Sequence, residues 1–114
     1  MGLLGKAIAR NGSDPDIQAA INDFHRKNPL FHCVVMQFAD ARRQGLSDIA
    51  AMTASHGAAC YNLRGRNGLV LLPGELDMEL FSHRLSKSTG ATVLFEFSAN
   101  TSSLALKTLI PFLQ

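Results

Sequence analysis

With 114 residues, 46% of them hydrophobic and 18% charged, the chain is too apolar to be disordered and long enough to bury a core without disulfides or a structural metal. No apolar stretch approaches the roughly 20 residues that span a bilayer. A net charge of +2 and a sequence pI of about 8.8 argue neither for nor against nucleic acid.

Residues 1–13 read as a flexible leader ahead of one α+β domain, 14–114. Met1-Gly2-Leu3-Leu4-Gly5-Lys6 opens like a myristoylation signal, but Lys6 stands where that signal needs Ser or Thr. The stretch to Arg10 is too short and too interrupted by Gly for a secretory signal. Cys33 and Cys60, the two cysteines, both fall in predicted strands, so two reduced thiols and a cytoplasmic location are expected.

Asp14-Pro15-Asp16 supplies a cap, a proline for the first helical position and an early acid. Ile17, Ala20, Ile21 and Phe24 follow at helical spacing, and Lys27-Asn28-Pro29 ends the helix. Leu30 to Phe38 is a strand with no polar face. Ser47-Asp48 caps a helix through about His56, closed by Gly57. Ala59 to Arg64 alternates, with Ala59, Tyr61 and Leu63 on one side and Cys60, Asn62 and Arg64 on the other. Gly65-Arg66-Asn67-Gly68 is expected as the hairpin connection, on the strength of its Asn-Gly pair.

Gly68 to Leu72 is a third strand, its run Leu69 to Leu72 again without a polar face, and Pro73-Gly74 stops it. Asp77 caps the next helix, with Leu76 and Phe81 at the spacing of a hydrophobic staple and Leu80, Phe81 and Leu85 as its buried stripe. Thr89-Gly90 closes it. Ala91 to Ser98 is a fourth strand, with Val93, Phe95 and Phe97 expected on one face. Asn100 to Ser103 offers caps for a last helix carrying Leu104, Leu109 and Ile110 inward, which Pro111 bends or ends.

Without its terminal helices the order is strand, helix, strand, strand, helix, strand, a ferredoxin-like βαββαβ sandwich. Right-handed crossovers then give the strand order 4-1-3-2. The first and third strands become central, and these are the two that lack a polar face. Such strands are covered on both sides, so the second sheet face needs cover from the first helix, the last helix or another subunit.

In that plan the loop after the first strand, the hairpin and the turn before the fourth strand share one end. Arg42, Arg43, Arg64, Arg66 and Lys87 would gather there, with Asn67, Ser88 and Thr89 as neutral donors, a set suited to phosphate or carboxylate. An RNA-reading sheet would need aromatics on its central strands, and Leu69 to Leu72 has none, which argues against nucleic acid. His32 and Cys33 point to opposite faces of one strand and form no nucleophile–base pair. His32 reads as strand-end packing. No HxxxH, CxxC or HxH spacing occurs, so neither a metal nor a cofactor is expected.

Gly45-Leu46-Ser47-Asp48-Ile49-Ala50 through His56-Gly57-Ala58 resembles the strand-loop-helix opening of ACT domains over about a sixth of the chain. These small ferredoxin-like modules bind amino acids at dimer interfaces and regulate attached enzymes. The Gly-to-Ile spacing is one residue shorter here, and no Asp-x-x-Gly introduces the helix, so the likeness bears on fold rather than function. The sequence reading is therefore a non-catalytic interaction module, with a protein partner or self-association through a sheet face or edge and no membrane contact. A small-anion or amino-acid sensor using the basic end is the alternative, and a small enzyme the third.

Overall fold

The computed structural model describes residues 14–38, 51, 56–63 and 65–113. The elements are α1 (Asp14–Lys27), β1 (Phe31–Gln37), β2 (Ala59–Asn62), β3 (Asn67–Pro73), α2 (Met78–Thr89), β4 (Thr92–Ala99) and α3 (Ser102–Leu113). The helix expected through His56 falls mostly outside the described residues, as does the leader.

The four strands form one antiparallel sheet in the order β2-β3-β1-β4, which from the other edge reads fourth, first, third, second. The central strands are the two without a polar face. Every residue from Phe31 to Met36 and from Gly68 to Pro73 is buried. Helices lie on both faces of the sheet, which therefore has two cores.

On one face Ile17, Ile21 and Phe24 of α1 and Ala105 and Leu109 of α3 pack on Phe31, Cys33, Val35, Leu69 and Leu71. On the other, Leu85 and the half-buried Phe81 of α2 pack on Val34, Met36, Val70 and Leu72. The two terminal helices thus cover the second face. Cys33 belongs to the first core and Cys60 to the second, so no disulfide joins them.

The α2 helix is defined at both ends by its sequence. Asp77 accepts from the Leu80 amide at 3.1 Å, and Gly90 takes φ 74°, its amide donating to the Ser86 carbonyl. Thr101 caps α3 in the same way, its hydroxyl accepting from the Leu104 amide.

Several expectations need correction. The hairpin turn sits before Asn67-Gly68: the Leu63 amide donates to the Asn67 carbonyl, Gly65 takes φ 69°, and Asn67 already belongs to β3. A left-handed glycine inside a three-residue loop displaced the Asn-Gly turn. Leu80 is exposed rather than under the sheet, and so are Leu104 and Ile110 of α3, whose inward positions are Ala105 and Leu109. Pro111 lies inside α3 without ending it, because the helix runs on to Leu113.

Val93 does not share a face with Phe95 and Phe97. A bulge shifts the β1–β4 register between Val35↔Phe95 and Met36↔Val93, leaving Leu94 as the additional residue. One inserted residue inverts side-chain parity. Val93 therefore packs on the α2-side core, whereas Phe97 packs on the α1/α3-side core.

Candidate functional site

The register brings the three loop ends of the basic site partly together. Gln37 pairs with both Asn67 and Thr92, and the Phe38 amide donates to the Arg66 carbonyl at 2.8 Å. Arg66 and Asn67 in the hairpin, the end of β1 and the start of β4 consequently share one end of the sheet. Lys87 lies exposed in the last turn of α2, which leads to that end. Arg42, Arg43 and Arg64 lie outside the described residues. Asn67, expected as a donor toward an anion, has its Oδ1 buried with no hydrogen-bond partner, as has Asn62.

Between α1 and β2 runs a cleft of about 240 Å³ lined by Ala20, Phe24, Tyr61 and Asn28, with Asp23 and Lys27 at its rim. Its volume is below the roughly 300 Å³ at which small-molecule pockets begin. Its two charges are exposed and already paired, Asp23 with Lys27 at 3.9 Å and with Arg26 at 3.3 Å. Among the described residues no group of three His, Cys, Asp or Glu side chains is placed to hold a metal ion.

His32 does more than pack. It is buried, and its Nε2 lies 3.0 Å from the Leu76 carbonyl and 3.2 Å from the Gly74 carbonyl. Carbonyls only accept, so Nε2 carries the proton and donates. In the neutral ring Nδ1 then accepts from the Ser98 hydroxyl, 2.7 Å away. Two residues along β4 on the same face, Glu96 accepts from the buried Ser82 hydroxyl of α2, also at 2.7 Å. These bonds tie β4 to the loop before α2 and to α2 itself. Ser98 and Glu96 alternate along β4, and His32 interrupts an apolar run of β1, but only the strand register sets them together.

With its inner side bound to β1, β4 has no strand paired to its outer side among the described residues. It is the longer of the two edge strands, eight residues against four in β2. Alternate residues of an edge strand point their amides and carbonyls away from the sheet. The usual blocks to pairing there are lysine and proline, and Thr-Val-Leu-Phe-Glu-Phe-Ser-Ala contains neither. Leu94 and Phe95 are 41% and 39% exposed. Beside them Phe95 meets Phe97 at 5.4 Å and stacks on Phe112 of α3 at 6.1 Å, so an aromatic cluster reaches the open edge. The bulge at Leu94 and the inward-pointing carboxylate of Glu96 both interrupt it.

No family model, curated protein or solved structure matches this chain.

Proposed function

We propose that the chain is a ferredoxin-like interaction module that binds a protein partner by accepting an extended segment along β4. The observation that carries the reading is the eight-residue edge strand with Leu94 and Phe95 exposed and no lysine, arginine or proline along it. In this mode of recognition main-chain hydrogen bonds supply affinity, and alternate side chains supply selectivity. The polar ties through His32 and Glu96 support the reading, because an edge strand held to α2 and to the preceding loop is ordered before a partner arrives. Less ordering entropy then opposes binding.

A panel of octapeptides with alternating apolar and threonine residues, titrated into labelled protein and followed by NMR, tests this reading. The amides of Phe95, Phe97 and Ala99 should move together, while Cys60 and Tyr61 on the opposite edge stay in place. Movement confined to β2, or spread evenly over the molecule, would discard β4 as the binding edge.

A further inference from the structure

We infer that Ser98 is a nucleophile activated by His32, and that it takes up the acyl group of a small activated ester or thioester. The inference stands apart from the docking role of the β4 edge. Cys33, the neighbour of His32 in β1, packs in the opposite core, so no nucleophile and base meet along that strand. The register supplies such a pair across strands, because His32 stands directly opposite Ser98.

The Ser98 Oγ lies 2.7 Å from the His32 Nδ1, inside the range of about 2.6 to 3.2 Å in which a base can take a hydroxyl proton. The carbonyls of Leu76 and Gly74, 3.0 and 3.2 Å away, hold the ring proton on Nε2 and leave Nδ1 as the base. Such pairs need a third group that orients the base. Here that group is braced: the Gly74 amide donates to the Leu30 carbonyl at 3.0 Å and the Leu76 amide to the Pro73 carbonyl at 3.1 Å. A Cβ on Gly74 would stand 2.5 Å from the Leu30 oxygen, so a side chain there would displace the turn. His32 is buried and Ser98 exposed, which fixes the base and opens the nucleophile to a reagent. The hydroxyls of Ser86, Thr89 and Thr108 donate instead to backbone carbonyls, and that of Ser82, which reaches Glu96, is buried.

As Oγ bonds to the acyl carbon, its proton passes to Nδ1, and the imidazolium keeps its Nε2 proton on the two carbonyls. The bond from the acyl carbon to the leaving oxygen or sulfur then breaks, and the Nδ1 proton goes to that atom. Water releases the acyl group by the same route: Nδ1 takes a proton from the attacking water and returns it to Oγ. The pair activates the nucleophile, and the donor must supply the leaving ability, which selects aryl esters and thioesters.

The probe is p-nitrophenyl acetate, added to the full chain at one pH with and without urea, quenched in acid and located by peptide mass mapping. Ser98 should carry the acetyl group, and should acquire it about 100-fold faster in the folded chain than in urea, the low end of general-base catalysis. Ser98→Ala should abolish the rapid release of nitrophenolate. His32→Asn, with its melting curve read alongside, should bring Ser98 down to its rate in urea, and the comparison within the parent chain holds even where that variant does not fold. Acetyl groups on lysine with Ser98 unmodified, or equal rates at Ser98 with and without urea, overturn the inference.

Discussion

Cys33 shows how one position in a central strand couples burial to pH. Its side chain is fully buried among Ile21, Val35 and Leu71, and burial pushes its thiol from 9.0 up to about 12. Because the raised value belongs to the folded state, the stability it brings is whole below pH 9. Between 9 and 12 the unfolded thiol ionises while the folded one does not. Stability therefore falls as pH rises, by up to about 1.4 kcal/mol per pH unit from this group. Urea denaturation at pH 8 and pH 10.5, compared with Cys33→Ala, should show the loss in the parent and less of it in the variant. Equal losses would mean that Cys33 is not shielded. That no disulfide joins Cys33 and Cys60 was legible from their strands alone. The bonds of His32 were not, because they depend on register and on a loop carbonyl 44 residues away.

At the scale of elements, α2 separates what periodicity can and cannot say. Its limits were legible, since Asp77 and Gly90 are chemical punctuation. Its buried stripe was only half legible: Leu80 and Phe81 are neighbours 100° apart on the helix, and both are apolar. Leu76 and Phe81 both pack against the α2-side core, where Phe81 also meets the His56 ring edge-on at 5.3 Å, and Leu80 is left outside. The same limit applies to β4, where no residue type announces the bulge that sends Val93 to the other face. Phe81→Ala should cost about 2 kcal/mol, below the 3 to 5 typical of full burial, and Leu80→Ala less than about 0.5 kcal/mol. Chemical denaturation of both variants checks the assignment, and a larger loss for Leu80→Ala would reverse it.

In the whole molecule two cores share one pair of central strands, and this arrangement decides how damage spreads. Runs with no polar face foretold cover on both sides of β1 and β3, and the terminal helices supply it on the side away from α2. The basic end was legible only as a row of loops, because Arg42, Arg43 and Arg64 lie outside the described residues. Ile21 of α1 lies on one face and Leu85 of α2 on the other, with the sheet between them and, among the described residues, no apolar residue belonging to both cores. Each is fully buried, so each change to Ala should cost about 2 to 5 kcal/mol. Sites this far apart add within about 0.5 kcal/mol when nothing couples them. The strands that both cores grip must nevertheless unfold together, and each single variant should therefore keep one transition with the parental denaturant slope. Denaturation of Ile21→Ala, Leu85→Ala and the double variant tests both statements. A double loss well short of the sum would show that one core reorganises when the other is weakened. A second transition in either single variant would show that one face unfolds without the other, and the shared strands would then not be the element that makes this fold a single cooperative unit.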